Sequence, residues 1–210
     1  PETELDIFTL ARLLKNRSQE FDRNSSVLPQ VPSMINGQPF AVRSHQTEAL
    51  ENWRAKGTFQ GILALATGAG KTITAIHSIV KLSEKISNLT VIIAVPYQNL
   101  ADQWCDILSQ FNIWPIRCYE SKANWLEDLR QTVHEIKLGL RKFTAIVVVN
   151  RTLKTEAFQT CIKDLKPEKL YWIGDECHHH GSGTFLGSLP ESARFRLGLS
   201  ATPDHYADDE

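Results

Sequence analysis

No apolar run in this chain approaches the 18 residues at which a membrane-spanning helix becomes a candidate. No basic segment followed by an apolar one opens it, so a secretory leader is not predicted. Neither sign of charge is in excess: 23 Lys and Arg stand against 24 Asp and Glu, a formal net charge of −1 with the seven histidines neutral. That balance excludes capture of nucleic acid by bulk charge and leaves only a local basic groove for such a role. Of the four cysteines, no two form a CxxC pair. Cys105, Cys118, Cys161 and Cys177 are scattered among apolar or helical stretches, the pattern of reduced thiols in a cytoplasmic protein. Repeats and low-complexity tracts are missing as well. With 42% hydrophobic and 22% charged residues, the composition excludes collagen, coiled coil and wholesale disorder.

What is present suits one good-sized domain, or one domain with an appendage, in 210 residues. A compact chain of this length buries about 70% of its unfolded surface, so its core needs neither disulfides nor metals. The chain opens at Pro1 and ends on Ala207-Asp208-Asp209-Glu210 without an evident closing element, which leads us to expect a piece of something longer. Leu5, Phe8, Leu13 and Leu14 fall near helical spacing and predict an amphipathic helix from Glu2 to about Arg17. Asp22 to Pro39, rich in Ser, Asn, Pro and Gln, reads as a connecting loop. Residues 1–39 are therefore expected to be an accessory element or the tail of a preceding domain, and 40–210 the main domain.

From Gly61 onward short apolar runs alternate with helical patterns. Gly61–Ala66, Leu89–Val95, Ile113–Tyr119, Phe143–Val149, Leu170–Ile173 and Phe195–Leu199 read as strands. Lys71–Ile86, Asn99–Phe111, Asn124–Leu140 and a stretch through about Ile162 read as helices. Nearly continuous apolar strands separated by helices predict an α/β fold, a central mostly parallel sheet flanked by helices on both faces. Ligands of such sheets bind beyond the carboxyl ends of the strands. The chemistry-bearing motifs all lie at such ends.

Thr67-Gly68-Ala69-Gly70-Lys71-Thr72 follows the first strand and opens a helix. Glycines permit positive φ and let backbone N–H groups curl around phosphate oxygens, and the helix N-terminus adds its dipole. Lys71 is placed to reach the β- and γ-phosphates of a nucleoside triphosphate, and the Thr72 hydroxyl to ligate Mg²⁺. The strict GxxxxGK[ST] pattern fails at its first place, Leu65, a position that serves strand packing.

The strand ending at Ile173 delivers Gly174-Asp175-Glu176-Cys177-His178. An Asp at a strand end beside a phosphate loop can hold Mg²⁺, and an adjacent Glu can polarise the attacking water. Two carboxylates side by side at a buried strand end are expensive without a cation. His178-His179-His180 beside Cys177 does not make a zinc site, because three consecutive histidines cannot all face one ion and no partner cluster has ligand spacing. His178 reads instead as a polar link to the next loop, and His179 and His180 as surface residues. Ser200-Ala201-Thr202-Pro203 ends the last strand. Its hydroxyls can bond to His178 and the acidic pair.

Together, Ala66–Thr72, Asp175-Glu-Cys-His178 and Ser200-Ala-Thr202 resemble motifs I, II and III of superfamily 2 helicases and translocases of the DExH class. Arg43-Ser44-His45-Gln46 is similar to that family's adenine-recognition segment. Val95-Pro96-Tyr97-Gln98-Asn99-Leu100 with Gln103-Trp104 resembles motif Ia, and Val149-Asn150-Arg151-Thr152-Leu153 the next strand-end segment. The branch it most resembles contains type III restriction-enzyme subunits and related DNA repair translocases. The resemblance implies the first of two RecA-like P-loop NTPase domains, with the second, arginine-bearing domain beyond this chain.

It also implies the following roles. Arg43 and Gln46 select adenine. Thr67, Gly68, Ala69, Gly70, Lys71 and Thr72 bind phosphates. Thr72 and Asp175 hold Mg²⁺, and Glu176 orients water. His178, Ser200 and Thr202 couple the nucleotide state to domain movement, and Pro96, Tyr97, Asn150 and Arg151 touch a nucleic-acid backbone. The implied partners are nucleic acid, DNA over RNA, a second RecA-like domain and a nuclease or other accessory domain. Two other readings stay open: a nucleotide-gated binding module that does not hydrolyse, and a P-loop NTPase of unrelated purpose such as a kinase or transport ATPase.

Overall fold

A computed structural model describes residues 28–66, 68–176 and 190–201. The helix expected from Glu2 to Arg17 lies outside them. Among the described residues a small hairpin, β1 (Met34–Ile35) and β2 (Gln38–Pro39), precedes the main fold. Then follow α1 (Ser44–Ala55), β3 (Gln60–Ala64), α2 (Lys71–Ser83), β4 (Leu89–Val95), α3 (Gln98–Gln110), β5 (Ile116–Cys118) and α4 (Lys122–Lys137). The chain continues through β6 (Phe143–Val149), α5 (Asn150–Leu153), α6 (Glu156–Ile162), β7 (Leu170–Gly174) and β8 (Phe195–Ser200).

Strands β3 to β8 form one six-stranded sheet in the order β3-β8-β7-β4-β6-β5, and every pair in it is parallel. Parallel neighbours require crossover connections, and from β3 to β7 helices supply them. The two seven-residue strands β4 and β6 are buried along their whole length, which is why they carry no polar alternation. Their side chains alternate between two cores. Val91, Ile93 and Val95 of β4 join Val147 and Val149 of β6 on one face, under Ile76 and Ile79 of α2 and Ala101, Trp104 and Leu108 of α3. Ile92, Ala94, Ile146 and Val148 point to the other face, under Trp125 and Leu129 of α4 and Phe158 and Cys161 of α6. Helix α1 joins the first face through Trp53, whose indole N–H donates to the Arg196 carbonyl at 2.9 Å. The result is a three-layer α/β/α fold.

Three local readings need correction. The stretch ending at Pro39, expected to be a connecting loop, contains the β1–β2 hairpin. Asn36 and Gly37 both have positive φ (49° and 75°), as a two-residue hairpin turn with the twist of its strands demands. The hairpin is pinned to the end of α3, because the Asn36 N–H donates to Gln110 Oε1 and Gln110 Nε2 donates to Asn36 Oδ1. The helical stretch after β6 is two helices, broken at Lys154-Thr155. Thr155 caps the second one by accepting from the Phe158 N–H at 3.3 Å. Finally, α1 was not foreseen, since its apolar positions are few and its stripe is narrow. Among the described residues no helix is long and apolar enough to cross a membrane.

Candidate nucleotide site

The chain runs from β3 at one edge inward to β4, out to β5, back to β6, and then to β7 on the other side of β4. Such reversals open a crevice at the carboxyl ends of the strands. Strand β8 lies between β3 and β7, so the phosphate loop after β3, Ser200 at the end of β8 and Asp175 after β7 stand side by side.

Within the phosphate loop Gly68 and Gly70 have φ of 81° and 88°, a region that disfavours residues with a Cβ. Gly70 is the N-cap of α2. A Cβ there would also lie 2.5 Å from Gln46 Nε2, so this glycine is required twice over. Ala69 N–H closes the turn on the Ala66 carbonyl at 3.0 Å. The Lys71 ammonium donates to the Leu65 carbonyl at 2.9 Å, a bond within the loop that phosphate oxygens can replace. Thr72 is half-buried in the first turn of α2. Thr67 lies outside the described residues.

The segment Arg43–Gln46 is joined to this loop. Gln46 is only 3% exposed, and its two amide ends are engaged separately. Oε1 accepts from the Arg43 N–H at 2.9 Å, completing a capping box on α1, while Nε2 donates to the Gly70 carbonyl at 3.3 Å. His45 Nε2 lies 3.3 Å from the Ala69 carbonyl oxygen. Arg43 is exposed beside them. Gln46 and His45 therefore tie the start of α1 to the loop across 24 residues of sequence.

Asp175 continues the β7 register, its N–H donating to the Ala94 carbonyl at 2.9 Å, and is 5% exposed. Burial pushes its carboxyl above the usual range, and the Glu176 charge adds to the rise. Hydrogen bonds from the Trp104 indole and the Glu176 N–H oppose the rise, as does the Lys71 ammonium, so Lys71 and Asp175 act within one electrostatic environment. The donors are Trp104 Nε1, 2.7 Å from Oδ2, and the Glu176 N–H, 3.0 Å from Oδ1. Glu176 itself has φ of 49°, an uncommon conformation for a residue with a Cβ, and one that clusters at functional sites. A carboxylate is a hard oxygen donor of the kind that suits a cation such as Mg²⁺.

Ser200 is fully buried at the end of β8. His178 and Thr202, expected to act with it, lie outside the described residues, as do Cys177, His179 and His180. On the other side of Asp175 from the phosphate loop, the adjacent strand β4 and its neighbour β6 end in register at Val95 and Val149. Pro96-Tyr97 and Asn150-Arg151 therefore emerge next to each other, with Tyr97 62% exposed, Arg151 exposed and Asn150 half-buried. Trp104 and His45 are the two residues of this site to which the sequence assigned no role of their own. Trp104 shows only the spacing of a buried helix face. Its partner is 71 residues away.

This geometry defines a RecA-like P-loop NTPase fold. The chain belongs to the type III restriction enzyme, res subunit family, whose model matches residues 39–205. It is 29% identical over 183 residues to the human SWI/SNF-related matrix-associated actin-dependent regulator of chromatin subfamily A containing DEAD/H box 1, covering 82% of this chain and 17% of that protein. It is 25% identical over 187 residues to the DNA 3'-5' translocase XPB2 of Sulfurisphaera tokodaii, covering 89% of this chain and 36% of that one. This chain thus spans about a third or less of these curated relatives.

Among solved structures, it superposes on the type ISP restriction-modification enzyme LlaGI in complex with a DNA substrate mimic with a TM-score of 0.64 and 21% identity. That match covers 81% of this chain and 19% of LlaGI. On the Sulfolobus solfataricus SWI2/SNF2 ATPase core in complex with dsDNA the TM-score is 0.55 at 19% identity, covering 84% of this chain and 34% of that one. These two likenesses concern the fold.

Proposed function

We propose that the chain is the ATP-binding motor domain of a nucleic-acid-dependent ATPase, a helicase or DNA translocase that couples ATP hydrolysis to movement on DNA. The observation that carries this reading is the convergence of the Gly68–Thr72 loop, Ser200 and Asp175 at the ends of three adjacent strands. The loop N–H groups and Lys71 hold the phosphates. Thr72 and Asp175 would hold Mg²⁺, which supplies neutralisation of charge on the phosphate oxygens when bound. Glu176 orients the attacking water and takes its proton. Gln46 keeps one N–H and one lone pair beyond those already bonded, enough to read the donor–acceptor edge of adenine with Arg43 beside it. Ser200 and Thr202, through His178, couple the nucleotide state to domain movement.

Pro96, Tyr97, Asn150 and Arg151 are the proposed grip on a nucleic-acid backbone, which positions the strand without reading its sequence. DNA is favoured over RNA because one relative is a DNA translocase, and of the solved structures LlaGI is in complex with a DNA substrate mimic and the SWI2/SNF2 ATPase core with dsDNA. A second RecA-like domain of the same polypeptide is the proposed source of the arginine that completes the site. The restriction-enzyme relatives suggest a nuclease as a further partner. Buried free thiols at Cys105, Cys118 and Cys161 accord with a cytoplasmic location.

The test is ATP turnover by the full-length protein with and without duplex DNA, for wild type and Glu176→Gln. The variant is expected to lose about 10²–10⁴-fold in turnover while still binding nucleotide. Equal turnover removes Glu176 from the mechanism. Turnover indifferent to any nucleic acid favours a P-loop NTPase of another purpose, and none at all favours a nucleotide-gated binding module.

A further inference from the structure

Trp104 and Asp175 are 1% and 5% exposed, and the indole N–H of one meets Oδ2 of the other at 2.7 Å. We propose that Trp104 is a positioning residue of the motor site, whose indole N–H fixes the Asp175 carboxylate in the orientation that receives the divalent cation. This rests on the reading of Asp175 given above. Trp104 lies in the core between α3 and the sheet, with Ala101, Cys105 and Leu108 of its own helix. Packing there calls for a large apolar ring, and phenylalanine would supply most of the volume. The nitrogen adds a donor that cannot accept, buried where an unpaired N–H is costly.

A bond from it to a carboxylate is charge-assisted and directional. The other carboxylate oxygen takes the Glu176 N–H at 3.0 Å. The two oxygens are thus held by different elements, one by the turn after β7 and the other by α3. Rotation of the carboxylate breaks both bonds, so the side chain is set before any cation arrives. The remaining lone pairs are left for it. Partners of this kind, one step behind a metal ligand, typically change metal affinity by about 10–100-fold when removed.

The experiment measures Mn²⁺ binding by electron paramagnetic resonance in the full-length protein, with a non-hydrolysable ATP analogue present. Two variants are compared with wild type. Trp104→Phe removes the N–H, and benzothienylalanine incorporated at position 104 replaces it with sulfur while keeping the shape of the ring. Both are expected to weaken Mn²⁺ binding about 10–100-fold, with analogue binding in metal chelator unchanged. Wild-type Mn²⁺ affinity in the folded benzothienylalanine variant overturns the inference and leaves the role of Asp175 intact. A loss confined to Trp104→Phe also overturns it, since volume and not the N–H is then responsible. Asp175→Asn separates the two readings. If it binds Mn²⁺ as wild type does, Asp175 is not the cation-holding residue, and both fall together.

Discussion

Gly70 answers to two constraints at once: its φ of 88°, and Gln46 Nε2 lying 2.5 Å from where a Cβ would be. A left-handed residue with a Cβ costs about 1–2 kcal/mol, so Gly70→Ala is expected to destabilise the domain by at least that amount in denaturant unfolding. Adding Gln46→Ala removes the collision but not the dihedral strain. The double variant should therefore cost less than the sum of the two singles. Asp175 makes a different demand. Its folded carboxyl titrates above the usual value of 3.8, chiefly through burial. The folded state then binds this proton more tightly than the unfolded chain does. The contribution favours the fold at acid pH and is lost as pH rises through the raised folded value. Measured without nucleotide or metal, the stability of Asp175→Asn relative to wild type should increase as pH rises from about 4 toward 7. A flat or falling difference would contradict this account.

The break between α5 and α6 shows how one hydroxyl decides an element. Thr155 Oγ1 accepts from the Phe158 N–H and donates to the Thr152 carbonyl at 2.7 Å, ending one helix and starting the next. Thr155→Ala should cost about 1 kcal/mol in urea unfolding, the usual worth of an N-cap. Turnover should survive, because α6 packs on the face away from the phosphate loop. Helix α3 carries the opposite kind of information. Its N-cap is Tyr97, one of the residues of the proposed nucleic-acid grip, and Trp104 follows two turns later against Asp175. A rigid helix of two turns spans about 10–11 Å, so one element touches both parts of the site.

At the scale of the whole molecule, the site as proposed is completed by an arginine from a second domain. An arginine supplied across such a boundary is worth about 10³–10⁵-fold in related phosphoryl-transfer sites. The 210-residue chain expressed alone should therefore bind ATP weakly and turn it over slowly, with little response to DNA in a coupled assay. Brisk, DNA-stimulated turnover from the chain alone would contradict the need for that domain. The sheet that supports the site was largely legible from Leu89–Val95 and Phe143–Val149, since strands buried on both faces leave an uninterrupted apolar run. The conformation of the phosphate loop was legible too, since Gly68 and Gly70 take the positive φ that glycine permits. Those features are local, and so the residues alone determined them. The placement of β8 between β3 and β7, the bond from Gln46 to the Gly70 carbonyl and the bond from Trp104 to Asp175 were decided only by the tertiary structure. Each joins groups far apart along the chain, and no period or spacing in a sequence records which distant surfaces will bury one another.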